Sequence, residues 1–244
     1  RDRVVLATKV SRDLSPVGVR RAAERSLRLM KTDVIDLYQV HRFDPNVPVE
    51  ETVAAIERLR EQGYVRHIGV SNYTAHQLSR AQSVTNICTN QINYNALNRS
   101  PEREMIPFCA ARGLSLIAHS SLAKGILSGR YTPGHQFSPD DERSTFPGYA
   151  EPELSHYLTV VQEISHVATE HGLTTAQAAL AWTLRKPVVA SVLVGPKTTE
   201  QLRELTAMCE RLSDDLIRSV GTGVDDVLDG SKLPYLCPFP NQLV

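Results

Sequence analysis

The chain has 244 residues, 41% hydrophobic and 22% charged, with a formal net charge of zero. That composition is the composition of a globular domain. It argues against nucleic acid as the main partner, because phosphate binding needs a basic excess or stripe, and no apolar run approaches the roughly 20 residues of a membrane span.

The elements alternate. Val4–Thr8 reads as a short apolar strand. Pro16–Met30 has helical spacing through Val19, Ala23 and Leu27, with Ser15 as N-cap and Pro16 in the first turn. Val34–His41 is the next strand, and Val49–Gln62 a helix stopped by Gly63. Arg66–Ser71 is a strand, Ala75–Gln82 a short helix and Cys88–Asn93 a strand. Glu102–Arg112 reads as a helix closed by Gly113, followed by the strand Leu114–His119. A long polar stretch, Gly129–Gly148, precedes helices at Glu153–His171 and Thr175–Arg185. Val189–Val194 is a sixth strand, and helices at Thr199–Arg211 and Asp214–Leu228 complete the chain.

Strands that are apolar on both faces and alternate with helices imply a parallel α/β sheet. A doubly wound sheet would announce its cofactor with G-x-G-x-x-G after a strand. No such stretch exists; the segment at Gly221 and Gly223 lacks both the strand and the third glycine. The (β/α)8 barrel places functional residues at the C-terminal ends of its strands, and this chain puts polar residues at all six. Lys9 follows the first strand, His41 ends the second, and Ser71 and Asn72 end the third. Gln91 and Asn93 end the fourth, His119 and Ser120 the fifth, and Gly195 and Lys197 follow the sixth. A single barrel domain over residues 1–244 is therefore expected, with about six of its eight βα units present. A further pair, on the order of 60 residues at about 30 per unit, is expected ahead of Arg1.

The stretches VVLATKV, DLYQVHRFDP, GYVRHIGVSNY, QINYNALNR, HSSLAKGILSGRY and VGPKTTEQL, in this order and spacing, resemble the aldo-keto reductases, in the branch that includes the potassium-channel β-subunits. The resemblance implies an NADP(H)-dependent reductase of aldehydes or ketones, with a catalytic acid, tyrosine, lysine and histidine. Lys9 falls on the lysine and His41 on the histidine, while the acid and the tyrosine belong to the segment expected ahead of the first strand. It further implies that Ser71, Asn72 and Gln91 hold the nicotinamide carboxamide. Leu122, Ala123, Gly125 and Arg130 match the loop under the pyrophosphate, with Ser120 and Gly195 beside them on the rim. Lys197, Gln201 and Glu204 match the adenosine end, and Arg143 matches an arginine that closes over the cofactor. His119 stands where relatives carry an aromatic that stacks on nicotinamide, and Leu205 replaces an asparagine that contacts adenine.

The chemistry has its own logic. Reduction needs a hydride on carbon and a proton on oxygen, and a tyrosine near pKa 10 donates that proton only if a cation lowers its pKa. A second reading is a nicotinamide-binding regulatory or scaffold subunit of the same fold with little turnover. A third, a metal-dependent hydrolase or lyase, finds no histidine pair at metal spacing, and Asp140 and Asp141 read as solvated. The other six histidines, from His67 to His171, read as surface residues. Tyr38, Tyr94, Phe146 and Tyr149 are candidate pocket walls, with core packing the stronger reading for Tyr38. Cys88, Cys109, Cys209 and Cys237 are widely spaced and form no metal-type pair, as in a reduced cytoplasmic protein. The expected partner is a small carbonyl substrate, with no membrane and no nucleic acid, and a homo-oligomer remains open.

Overall fold

The computed structural model describes Arg1 and residues 3–231; Cys237 lies outside them. The chain divides into two compact units, the first made of Arg1–Ile92 and Glu104–Leu116, the second of Asn93–Arg103 and Ile117 onward.

The first unit carries β1 (Ala7–Val10), α1 (Pro16–Met30), β2 (Ile35–Val40), α2 (Val49–Glu61), β3 (Val65–Ser71), α3 (Ala75–Gln82), most of β4 (Ile87–Asn93) and α4 (Met105–Ala111). Its strands pair in chain order and all in parallel. Ser15 caps α1 by accepting from the Gly18 N–H, with Pro16 in the first turn, so the helix begins where the sequence places it. All six residues of β2 are buried. Tyr38 donates from its hydroxyl to the Val19 carbonyl of α1, so Tyr38 and Val40 face the helices. Leu37, Gln39 and His41 then face the other side of the sheet, because strand side chains alternate.

The second unit carries the end of β5 (Ser115–His119), α5 (Glu153–Glu170), α6 (Thr175–Leu184), β6 (Val189–Val192), α7 (Thr199–Ala207) and α8 (Asp214–Gly230). Leu193 donates its N–H to the Ala118 carbonyl of β5. Helix α6 starts with a capping box between Thr174 and Gln177 and buries nearly every residue, as a helix apolar all round must.

Several boundaries differ from the sequence reading by two residues or more; the helix read as Thr199–Arg211, for one, ends at Ala207, with a 3-10 turn at Met208–Glu210 after it. The first strand lies at Ala7–Val10, so Lys9 is inside it rather than after it. Val4 and Val5 are 56% and 76% exposed, and the Leu6 N–H is taken by the Asp36 carboxylate at 2.8 Å. The regular ladder to β2 starts only at Ala7, opposite Leu37. The fourth helix starts at Met105 instead of Glu102, after a 3-10 turn at Ser100–Glu102. Pro107 lacks an N–H, and it is tolerated only in the first turn of a helix. The strand read as Val189–Val194 ends at Val192, two residues short, and Leu193 and Val194 line a cavity. The polar stretch 129–148 holds a 3-10 turn at Glu142–Thr145 and part of another at Pro147–Tyr149.

Candidate active site

In the first unit, the C-terminal ends of four consecutive parallel strands collect the polar residues singled out in the sequence. Lys9 is the Cα partner of Gln39, Gln39 of Gly69, and Gly69 of Thr89. Ser71 is the partner of Gln91. In-register neighbours share a face of the sheet, so these residues form two polar rows on the face away from the helices. The Ser71 hydroxyl donates to the Gln91 carbonyl at 2.9 Å, and Gln91 Nε2 donates to Gln39 Oε1 at 3.3 Å. Asn72 has φ +58, a left-handed conformation that asparagine tolerates better than most residues. It donates from Nδ2 to Ser71 Oγ at 3.1 Å and to the His41 carbonyl at 3.4 Å.

His41 is partly buried, and its Nδ1 pairs with Ser11 Oγ at 2.9 Å. Burial lowers its pKa below the ordinary histidine value, and the positive charges of Lys9 and Arg42 lower it further. Lys9 is also partly buried, and burial lowers its pKa from the usual lysine value. That shift has a sign for stability. The folded state resists the charged form, so the cost is present while Lys9 is protonated. It is relieved as pH rises from the depressed pKa through the unfolded value of 10.5. Lys9→Met is therefore expected to melt at the same temperature as the parent at pH 7, or higher, with the parent's relative stability improving as pH rises. Thermal melts of both proteins from pH 7 to 10.5 check this; a variant clearly less stable at pH 7 would mean that the lysine serves the fold.

In the second unit, a cavity of about 1140 Å³ is walled by Ser120, Leu122, Gly125, Arg130, Arg143, Gly195, Lys197, Gln201 and Glu204, all singled out in the sequence. Leu205 also lines it, whereas His119 and Ala123 do not. His119 Nδ1 pairs with Ser120 Oγ at 3.1 Å, and the Ala123 carbonyl accepts from the Tyr149 hydroxyl at 2.7 Å. Ser120, Ala123, Lys124 and Gly125 all have positive φ, at 54°, 45°, 50° and 97°. The loop folds back on itself there, with the Ala123 N–H donating to the Ser120 carbonyl at 2.7 Å and the Gly125 N–H to the Leu122 carbonyl at 2.8 Å.

The loop above the cavity is strapped by Arg143. Its guanidinium donates from Nε to Asp141 Oδ1 at 2.8 Å, and from Nη1 to the Tyr131 hydroxyl at 2.8 Å and the Lys124 carbonyl at 3.3 Å. It also lies 4.4 Å over the Phe137 ring. Asp141 is thus paired rather than solvated, and the Arg143 hydrogen bonds hold its carboxyl below the usual range. Lys124 pairs with Glu142 at 2.9 Å. These two pairs cancel their own charges. Arg130 and Lys197 make no ion pair among the described residues, and both line the cavity. Asp140 and Glu204 line it too, so its formal charges balance, and Arg130 and Lys197 are the two cations there without a direct carboxylate contact.

Sequence reasoning overlooked Gln39, Ser11 and the cavity residues Lys124 and Tyr131. Gln39 carried a usable signal: it stands two residues before His41 and so shares its face. Tyr94 is no pocket wall. It is buried, donates to Glu102 Oε1 at 2.7 Å and accepts from Arg185. Tyr149 is likewise buried. His135, tilted at 41° to the Tyr131 ring with centroids 4.5 Å apart, and His171, bonded to Ser219 Oγ at 2.8 Å, are partly buried rather than surface residues. Among the described residues no cluster of His, Cys, Asp or Glu has metal-holding geometry, and no helix is long and apolar enough to cross a membrane.

A parallel α/β chain whose polar residues gather at the C-terminal strand ends is of the TIM-barrel-like class. The chain belongs to the aldo/keto reductase family, whose profile matches residues 1–221. The aldo-keto reductase YhdN of Bacillus subtilis (strain 168) is 34% identical over 216 residues, which are 84% of this chain and 65% of that protein. The chain thus spans just under two thirds of YhdN's length. The aldo-keto reductase str7 of Strobilurus tenacellus is 31% identical over 231 residues, 90% of this chain and 68% of that protein. Among solved structures, the glycerol dehydrogenase AKR11B4 from Gluconobacter oxydans matches with a TM-score of 0.83 at 27% identity, covering 93% of this chain and 68% of its own. The holo form of the aldo-keto reductase AKR11C1 from Bacillus halodurans matches at 0.75 and 25% identity, covering 91% and 74%. Members of the family are oxidoreductases that use nicotinamide cofactors and act on small carbonyl compounds.

Proposed function

We propose that this chain carries the cofactor-holding residues and part of the catalytic group of an NADP(H)-dependent reductase that converts an aldehyde or ketone to an alcohol. The supporting observation is the gathering of Lys9, His41, Ser71, Asn72 and Gln91 at the ends of adjacent parallel strands. In this reading Ser71, Asn72 and Gln91 hold the nicotinamide carboxamide. In the second unit, Ser120, Leu122, Gly125 and Arg130 serve the pyrophosphate, and Lys197, Gln201 and Glu204 the adenosine end. The bound cofactor would supply the hydride. His41, with Nδ1 engaged by Ser11, keeps Nε2 to donate a hydrogen bond to the carbonyl oxygen. Lys9 is the cation that favours the phenolate of a proton-donor tyrosine, which this reading places upstream of the strand with Lys9. The three described thiols are free, which fits a reducing cytoplasm.

Fluorescence titration of cofactor, beside steady-state reduction of a reactive aldehyde such as a nitrobenzaldehyde, tests the reading on the full-length protein. Tight NADPH binding without any carbonyl turnover would put a regulatory subunit in its place. Cofactor choice gives a sharper test. Lys197 lies just ahead of α7, capped by Thr198 accepting from the Gln201 N–H. A 2′-phosphate there would meet a cation and helix-start N–H groups together. Charge-assisted bonds of this kind are worth roughly 1.5–3 kcal/mol. Lys197→Ala is expected to weaken NADPH about tenfold or more and to leave NADH nearly unchanged. Equal losses for both would assign Lys197 to the surface alone.

A further inference from the structure

Gln39 is the one amide among the six residues of β2, and it is 1% exposed. A buried amide is kept only where its hydrogen bonds are made. Gln39 makes both kinds. Its Nε2 donates to the Val70 carbonyl at 3.3 Å, and its Oε1 accepts from Gln91 Nε2 at 3.3 Å. The second bond crosses a whole strand, since Gln39 is on β2, Gln91 on β4, and β3 runs between them. Adjacent strands are about 4.8 Å apart, so two side chains must meet above β3. They can because the residue beneath is Gly69, the Cα partner of both Gln39 and Thr89. A Cβ at Gly69 would overlap Thr89 Oγ1 and press on Gln39 Cγ at 3.1 Å.

The order of donors matters. The Val70 carbonyl can only accept, so it draws the NH2 of Gln39 and turns Oε1 toward Gln91. That oxygen can only accept, so it draws the NH2 of Gln91. Gln91 is left with Oε1 as its outward atom, and no described residue donates to it. We infer that Gln39 is a positioning residue. Bridging over Gly69, it fixes the amide of Gln91 so that Oε1 faces the ligand as an acceptor, and thereby selects a ligand with a primary carboxamide N–H. The inference rests on the reading that Gln91 meets the nicotinamide ring substituent.

Calorimetric titration of the full-length protein with NADPH and with its 3-acetylpyridine analogue tests it. The analogue carries a methyl ketone where NADPH has a carboxamide, so it has no N–H for Gln91. The parent is expected to prefer NADPH about tenfold, the worth of one good hydrogen bond. Gln39→Met keeps the volume and removes the bridge, and its preference should fall to about twofold or less. Gln39→Glu, which burial favours in its protonated form, then donates to the Val70 carbonyl and offers its other oxygen to Gln91, and should keep most of the preference, whether or not the Met variant folds. A general packing role would weaken both ligands alike and leave their ratio untouched. An unchanged ratio in Gln39→Met, or a lost preference in Gln39→Glu, overturns the role of Gln39 while leaving the functional reading in place. Binding of neither ligand by the parent overturns the functional reading and this inference with it.

Discussion

Lys9→Met is expected to cut carbonyl reduction by the full-length protein at least about 100-fold, the usual range for an acid–base group, with a much smaller change in NADPH affinity. Two observations support a loss that large. Lys9 is on the same face as Gln39 and within electrostatic reach of His41, where a cation can act on a developing oxyanion or phenolate. It is also partly buried against its own preference, a cost that a purely structural position would shed. The variant carries a second signature. Burial is the main cause of the lowered His41 pKa, and Lys9 adds to it. Removing Lys9 should let the His41 pKa rise toward 6.5. The residual activity should then lose its neutral-histidine limb at a higher pH than in the parent, and the His41 ring resonances should titrate later on acidification in the parent than in the variant. Intact turnover in Lys9→Met would end the proposed mechanism. Reduced turnover with an unmoved His41 titration would place Lys9 away from the reacting groups.

Local chemistry was legible in the sequence wherever one residue decides a boundary. Ser15 and Pro16 set the start of α1. Boundaries decided by a distant partner were not legible. Val4 and Val5 look more like strand than Lys9 does, but they have no ladder partner, and the Asp36 carboxylate holds the Leu6 N–H instead. Pro107 is a local signal as well, since a proline in a helix interior opposes a helix that begins five residues earlier. The rim residues could be read because strand ends recur at intervals and their residue types are unusual there. Gln39 is harder to read because it stands inside an apolar run, where a single polar residue gives no periodic signal. The rule that buried amides need partners would have raised the question of what it reaches. The Arg143 strap joins Tyr131, Phe137 and Asp141 through loop geometry with no period to read.

Arg185 illustrates the same limit and carries the largest expected effect on stability. It ends α6, 10% exposed at its side chain, and every N–H of its guanidinium is used. Nε donates to Asp225 Oδ2 at 3.1 Å, and Nη1 to the Tyr94 hydroxyl and the Trp182 carbonyl, each at 3.0 Å. Nη2 donates to Glu102 Oε1 at 3.0 Å and Asp225 Oδ1 at 2.9 Å. The plane of the group sits 3.7 Å above the Trp182 ring, and Trp182 Nε1 also donates to Asp225. These partners are 3 to 91 positions away in sequence, so no local pattern announces them. Arg185→Met keeps the stem and the apolar contact with Trp182 but leaves Glu102 and Tyr94 without their shared donor. Removing one partner of a buried pair costs about 3–5 kcal/mol. Asp225 is more exposed than Glu102 and returns to water easily, and Lys186 stands 4.0 Å from Glu102, so about 3 kcal/mol is expected here. In a chain of this size that lowers Tm by about 6–12 °C. Arg185→Lys should recover only part of the loss, because an ammonium cannot address four acceptor groups around one plane or lie flat on an indole. Since the pair is buried, the Tm difference should change little with added salt. Calorimetric melts of the three proteins at low and high ionic strength decide the matter. A drop under about 2 °C for Arg185→Met, or full recovery by lysine, would show that the network contributes no more than an exposed ion pair.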